Sequence, residues 1–167
     1  MRFLQCPMAR KGAGLFLGVK CKEGNMATAL DVAQYILDKR GPLPAMKLQK
    51  IVYYAQAWSL VWDEKPLFPN VIEAWANGPV IPDLYTAHRG QFEVSAIPGG
   101  DASTLTVVQR ESIDAVIEGY ADRSSQWLSD LTHSERPWHE ARRGLPPGEP
   151  ATKEISTADL AEYYGGL

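Results

Sequence analysis

The spacing of apolar residues predicts a set of short helices around one central helix that is apolar on nearly every side. One face repeats at i, i+3, i+4, i+7 and i+14, which is the helical period; it consists of Leu48, Ile51, Val52, Ala55 and Trp62. The opposite side is also largely apolar, with Tyr54, Ala57, Leu60 and Val61. Other helices normally enclose a helix of this kind. We therefore predict a buried helix from about Ala45 to Asp63.

Caps and helix breakers predict the surrounding helices. Thr28 can cap a helix with Asp31 at its third position, and Gly41 and Pro42 end that helix. Pro82 suits the first position of another helix, which ends at Gly90. Further helices are indicated by Ile113, Val116, Ile117 and Tyr120, by Trp127, Leu128 and Leu131 after Ser124 or Ser125, and by Ile155 and Leu160 around a capping Ser156. Ser134 is expected to cap a turn that tolerates Pro137.

Little of the sequence favours strands. Residues 71–75 fit either a short strand or a helical turn, and the pattern does not decide between them. The best strand candidate is Leu105–Val108, which could pair with Phe92–Ile97 as a hairpin. Asn77-Gly78-Pro79 predicts a turn, and Gly78 would there adopt a positive φ without cost. The predicted fold class is mainly α, a compact multi-helix domain around a buried central helix with at most a small β-hairpin.

Charge divides the chain of 167 residues into two parts. Residues 1–25 carry five basic side chains and one acidic side chain, a net of +4, so residues 26–167 carry −7 of the total of −3. We predict that residues 1–25 are a flexible leader outside the fold and that 26–167 form a single helical domain. The leader is more consistent with an upstream start codon than with a functional segment. An acidic domain argues against a nucleic-acid binder and is compatible with a basic protein partner.

The absence of several sequence motifs constrains the expected cellular location and chemical activity of the protein. No apolar run reaches the roughly 18 to 20 residues of a membrane helix. Cys6 and Cys21 cannot supply a disulfide framework, so a cytoplasmic location is expected. His133 and His139 fall on different helical faces, and no nucleophile elbow or phosphate loop occurs. We predict no enzymatic activity, no metal and no cofactor. We also predict that Lys47 and Lys50 lie on a solvated edge of the central helix.

Three motifs carry a resemblance to a known family. They are Lys47-Leu48-Gln49-Lys50 continuing into Tyr53-Tyr54-Ala55-Gln56-Ala57-Trp58, then Glu73-Ala74-Trp75 with Gly78-Pro79-Val80 and a later Tyr85, and finally Thr132-His133 with Pro137-Trp138. Together, across 26–138, they resemble the Panacea antitoxin domain, a family that includes SocA-like antitoxins and phage-associated GepA-like proteins. Three motifs in the same order are more specific than any one of them.

The resemblance implies an antitoxin that binds and neutralises a cognate protein toxin, which is expected to be encoded adjacently. One alternative is a proteolytic adaptor that delivers the toxin to a Clp-type protease. Another is a DNA-binding autorepressor of its operon, although no helix-turn-helix with a basic recognition helix is evident. A phage or mobile-element interaction module with a non-toxin partner is a further alternative, because one scaffold can serve several functions.

The candidate partner-binding residues lie in the second and third motifs. They are Trp75, Asn77, Gly78, Pro79, Tyr85, His133 and Trp138. Large amphipathic rings often dominate binding interfaces, but Trp75 and Trp138 also fit a structural role in the core. His133 is expected just past a helix end, where an imidazole can bond free carbonyls. Tyr85 would emerge where the Gly-Pro corner directs it.

Overall fold

The computed structural model describes residues 26–167, and the predicted leader at 1–25 lies outside the described residues. Seven helices occur in this part of the chain: α1 Ala29–Arg40, α2 Ala45–Trp62, α3 Pro82–His88, α4 Val107–Tyr120, α5 Ser125–Ser134, α6 Arg136–Ala141 and α7 Thr157–Gly165. The strands are β1 Leu43–Pro44, β2 Glu73–Trp75, β3 Gly78–Val80 and β4 Glu93–Val94. The predicted mainly α fold class is confirmed.

Helix α2 is the centre of the fold. Helices α1, α3, α4, α5 and α7 all contact it, and every residue from Leu48 to Ser59 is buried. The predicted central helix is therefore confirmed, because its apolar residues lie on all sides and need partners on all sides. Trp62, at the end of the predicted buried face, is only half-buried and stacks on Trp58 with the ring centroids 5.2 Å apart.

Side-chain caps begin α1, α5 and α7 as predicted. Thr28 forms a capping box with Asp31 at the start of α1, and Gly41, at φ 76°, follows its end. Pro82 opens α3. Ser156 accepts from the Asp159 amide at the start of α7. Such caps satisfy amide groups that have no partner within the helix.

The predicted strand at Leu105–Val108 is wrong. Thr106 caps α4, with the Gln109 amide donating to its Oγ1 over 3.2 Å and the Gln109 Oε1 accepting from the Thr106 amide over 2.9 Å. Val107 and Val108 are consequently exposed residues of the first helical turn. The reciprocal cap supplies hydrogen bonds that a strand would have needed from a neighbour, and so it outweighs the β propensity of the two valines.

The strands form two antiparallel pairs. Strand β1 pairs with β4, with Leu43 opposite Val94, so residues 92–97 do not pair with 105–108. Residues 71–75, for which the sequence left two alternatives, contain strand β2, which pairs with β3 and places Trp75 opposite Gly78. The turn of this hairpin lies at 76–77, and Gly78 begins β3.

The junction of α5 and α6 differs from the prediction at Ser134. This residue ends α5, and its hydroxyl donates to the Leu131 carbonyl over 2.7 Å. It does not cap α6, which begins at Arg136 without a side-chain cap. Pro137 lies in the first turn of α6, where its missing amide proton costs no helical hydrogen bond.

Candidate partner-binding surface

A buried lysine supports the β2–β3 hairpin. Lys50 is only 1% exposed, and its Nζ donates to the Pro79 carbonyl over 2.9 Å and to the Asn77 carbonyl over 3.3 Å. The predicted solvated edge at Lys50 is therefore wrong, because the hairpin covers this face of α2 and its carbonyls take the place of water. Burial lowers the pKa of Lys50 to about 7, since the charged form loses hydration.

Glycine is required at position 78 for two independent reasons. Its φ is +110°, a conformation that other residues adopt only with strain. A Cβ at this position would also lie 2.6 Å from Lys50 Nζ and 2.9 Å from its Cε. The condition under which the sequence requires glycine here, a positive φ, is therefore met. The hairpin backbone thus approaches the lysine more closely than any side chain at Gly78 would allow.

Trp138 of α6 and the residue after this helix form hydrogen bonds with the backbone of β2. The Trp138 indole N–H donates to the Trp75 carbonyl over 2.9 Å, and Arg142 Nη1 donates to the Ala74 carbonyl over 2.9 Å. The Arg142 guanidinium also stands over the Trp138 ring, 5.4 Å from its centroid. These contacts hold the backbone of β2, whereas Lys50 bonds to carbonyls of the turn and of β3.

His133 occupies a different place from the one predicted. It lies in the last turn of α5, and its ring packs against Trp138 with centroids 4.3 Å apart. Burial lowers its pKa, and the charge of Lys50 lowers it further. Its Nε2 atom is buried and has no hydrogen-bond partner among the described residues. The ring therefore acts mainly by packing, and it supports the tryptophan.

Two aromatic rings form the outer side of this corner. Trp75 and Tyr85 meet edge to face with their centroids 5.0 Å apart, and Tyr85 also meets the His88 ring at 5.7 Å. Tyr85 is 37% exposed, whereas Trp75 is half-buried. The Trp75 indole N–H donates to Glu73 Oε2 over 2.6 Å, which fixes the orientation of the ring.

The structure gathers the predicted site residues at one corner but gives them different roles. Asn77 and Tyr85 are exposed, while Trp75, His133 and Trp138 are half-buried. Gly78 and Pro79 are buried, so they shape the hairpin rather than contact a partner. The candidate contact surface thus narrows to the exposed residues and the accessible part of the Trp75 ring.

Sequence reasoning missed Lys50 and Arg142 as supports of this corner. For Lys50 a signal existed, because it precedes Tyr54, Ala57 and Val61 at i+4, i+7 and i+11, on an apolar face of α2. For Arg142 no local signal existed, since its partners are backbone carbonyls of Ala74 and Glu149. Carbonyl partners from distant segments leave no mark on the sequence around an arginine.

Residues 26–167 contain neither a candidate metal site nor a candidate membrane-spanning helix. No three His, Cys, Asp or Glu side chains are grouped there so that they could hold a metal ion. No helix in the same range is both long and apolar enough to cross a membrane.

Comparison with known proteins connects this corner to a family. A family model described as "Antitoxin SocA-like, Panacea domain" matches residues 48–139, a range that includes most of α2, the hairpin and α5. The chain is also similar to "Antitoxin SocA" of Caulobacter vibrioides (strain NA1000 / CB15N), with 29% identity over 130 residues that cover 68% of this chain and 69% of the relative. No solved structure matches significantly.

Proposed function

The chain belongs to the family of SocA-like antitoxins with a Panacea domain, and from that premise we propose that it neutralises a cognate protein toxin by binding it directly. The proposed contact surface is centred on Trp75 and Tyr85. The toxin is expected to be encoded by an adjacent reading frame, and the encounter to take place in the cytoplasm. Neutralisation then needs neither catalysis nor a metal or cofactor.

The observation that carries this proposal is an accessible aromatic pair on a rigidly supported corner. The carbonyls of Ala74, Trp75 and Pro79 accept hydrogen bonds from Arg142, which follows α6, from Trp138 of α6 and from Lys50 of α2. Because the backbone beneath the rings is fixed before binding, little ordering free energy remains to be lost on association. Tyrosine and tryptophan in such positions commonly contribute most of the affinity of an interface.

The experiment is growth rescue combined with a binding measurement. The chain is expressed with the product of each adjacent reading frame, and the product that arrests growth is titrated against the purified chain. Tyr85→Ala should weaken binding at least tenfold and remove the rescue, while the helical circular dichroism signal is retained. Phe92→Ala is the matched control, because Phe92 is an aromatic residue that is 88% exposed on another segment; it should bind as the unaltered chain does.

Two outcomes would contradict the proposal. If no adjacent product arrests growth, or if the chain rescues growth without binding that product, direct neutralisation is wrong. If Tyr85→Ala and Phe92→Ala both leave binding unchanged, the toxin contacts another surface. Rescue that disappears in cells without the Clp-type protease, with binding intact, would favour an adaptor that delivers the toxin for degradation.

A further inference from the structure

Two carboxylates stand directly opposite each other beside the aromatic pair. Residues 153–155 add a short bridge to the free edge of β2, with the Ile155 amide donating to the Ile72 carbonyl over 2.8 Å and the Ala74 amide donating to the Lys153 carbonyl over 2.7 Å. These two bonds flank Glu73 and Glu154, which face each other across the bridge. In an antiparallel pair of this type the two side chains lie on the same face and close together.

This arrangement is unfavourable in the chain by itself. Like charges directly opposite each other on one face of a sheet destabilise it. Among residues 26–167 neither Glu73 nor Glu154 takes part in an ion pair, since the described pairs join other side chains. Glu154 is exposed and Glu73 is half-buried. A cation brought by a partner would therefore relieve a repulsion that no ion pair among residues 26–167 offsets.

The aromatic pair lies on the same face as these carboxylates. Trp75 follows Glu73 by two residues, so both side chains leave the same side of β2, and the indole N–H of Trp75 donates to Glu73 over 2.6 Å. Tyr85 packs against that indole. An aromatic face next to a carboxylate suits a guanidinium or ammonium group, which gains both a charged hydrogen bond and a cation–π contact.

A cleft of about 180 Å³ lies beside Glu154, one of the two carboxylates. Its lining includes Glu154 together with Phe68, Val71 and Ile155, and the side chain of Val71 is 45% exposed. The cleft is mostly apolar and large enough for about one side chain. It therefore places a mostly apolar depression next to the carboxylate of Glu154.

We propose that Glu73, Glu154, Trp75 and Tyr85 receive an arginine or lysine of the toxin, and that the cleft receives an apolar side chain of the same basic segment. This inference rests on the proposed function and specifies the chemistry of the partner. The net charge of −7 on residues 26–167 favours a basic partner. The basic side chain lies between the two carboxylates and against the rings, where it offsets the repulsion between Glu73 and Glu154.

The decisive variant is Glu154→Lys. It places a positive charge opposite Glu73, so the free chain should become no less stable, and the melting temperature should stay or rise. Binding of the growth-arresting toxin should weaken at least tenfold, and the weakening should shrink as salt is added. Glu118→Lys is the control, because it makes the same charge change at an exposed residue of α4; it should leave binding within about twofold.

A second measurement does not depend on the toxin. The probe is a hexa-arginine peptide, and the readout is the shift of the Trp75 indole N–H signal in a nitrogen-15 correlation spectrum, assigned with Trp75→Phe. The peptide should move this signal in the unaltered chain and in Glu118→Lys, but at least fivefold less in Glu154→Lys. A hexa-glutamate peptide should not move it.

The outcomes separate this inference from the proposed function. Toxin binding that is equally strong in Glu154→Lys and Glu118→Lys would overturn the basic-segment inference and leave the antitoxin function standing. Absence of any neutralised toxin would overturn the function, and the peptide titration would still decide the chemistry of the surface. Equal shifts of the Trp75 signal in both variants, or with either peptide, would show that no specific cation site exists here.

Discussion

Two neighbouring regions packed around α2 each contain one buried ionisable group. They differ in the groups that form hydrogen bonds with it. In the hairpin brace, formed by Lys50, Gly78, Pro79, Trp138 and Arg142, backbone carbonyls of a surface hairpin hold the Lys50 amine. In the tyrosine cluster, formed by Tyr53, Tyr54, Tyr120, Tyr164 and Glu135, side-chain hydroxyls hold a carboxyl group. Burial moves the pKa of each group to about 7, downward for Lys50 and upward for Glu135.

The tyrosine cluster connects several helices inside the core. The hydroxyls of Tyr54 and Tyr164 donate to Glu135 Oε2 over 2.9 Å and 2.6 Å, so one carboxyl group links α2, α7 and the junction between α5 and α6. The Tyr54 ring stacks on Tyr120 of α4, with centroids 4.2 Å apart. Loss of this cluster would loosen several helices at once.

The hairpin brace instead controls a surface. Its carbonyls belong to the segment that carries Trp75, so a change at Lys50 or Gly78 moves the rings that we propose as the contact surface. The comparison teaches that a buried charge can serve either the packing of a core or the shape of an exposed corner. The nature of its partners, distant side chains or a local hairpin backbone, decides which of the two it serves.

The largest expected effect comes from the helix that both regions share. Ile51 is fully buried in α2, between Lys50 and the tyrosine cluster. Ile51→Ala should lower the free energy of unfolding by roughly 2–5 kcal/mol in chemical denaturation, through lost burial and a residual cavity. The exposed Val108→Ala is the control and should change it by no more than about 0.5 kcal/mol. Equal values for the two would contradict the central position of α2.

A smaller loss should distinguish the brace from an ordinary turn. Gly78→Ala combines a strained φ with a clash against Lys50, whereas Gly144→Ala has a similarly positive φ of +84° and nothing within 4 Å of the added Cβ. Strain alone costs about 1–3 kcal/mol, so both variants should lose stability and Gly78→Ala should lose more. The difference between them, measured by denaturation, reports the close approach to Lys50. No difference would mean that the lysine moves aside freely.

The two buried groups should give opposite dependences on pH. Because the pKa of Glu135 is raised, its contribution to the free energy of unfolding is complete below its ordinary pKa of 4.5 and is lost as pH rises to about 7. Because the pKa of Lys50 is lowered, burial of its charged form reduces the free energy of unfolding at low pH. That loss is removed as pH rises from about 7 to the ordinary pKa of 10.5. Each slope is at most about 1.4 kcal/mol per pH unit.

The free energy of unfolding should therefore fall as pH rises from about 4.5 to about 7, and Glu135→Gln should remove that fall. It should rise again as pH increases above about 7, and Lys50→Met should remove that rise. Each variant leaves the other region unchanged and so serves as the control for it. The separation of the two regions would be wrong if either variant removed both slopes.

The smallest stability effect should come from the exposed ring of the corner. Tyr85→Ala should change the free energy of unfolding by only about 0.5 kcal/mol, because the ring packs on Trp75 at the surface and supports no buried backbone. The melting temperature should shift by a few degrees at most. A loss comparable to that of Ile51→Ala would show that Tyr85 belongs to the core and that the comparison between surface and core fails at this residue.

Signals within a few residues of one another account for what could be predicted. The capping box at Thr28, the proline that opens α3 and the period of α2 are local patterns, and the structure confirms all three. The strand predicted at 105–108 failed for a local reason too, because the reciprocal cap between Thr106 and Gln109 was overlooked. The candidate site residues were chosen only through their motifs, and the structure places them near one another.

The sequence by itself determined the family, the helical architecture and the need to enclose α2, since periodicity and caps act along the chain. Only the tertiary structure decided that Lys50 is buried beneath Gly78, and that Glu73 faces Glu154 beside Trp75. These arrangements depend on hydrogen bonds between segments far apart in the chain, and backbone carbonyls, which every residue carries, provide many of the partners. A group that any residue can supply leaves no trace in the sequence, so its position becomes known only when the chain is folded.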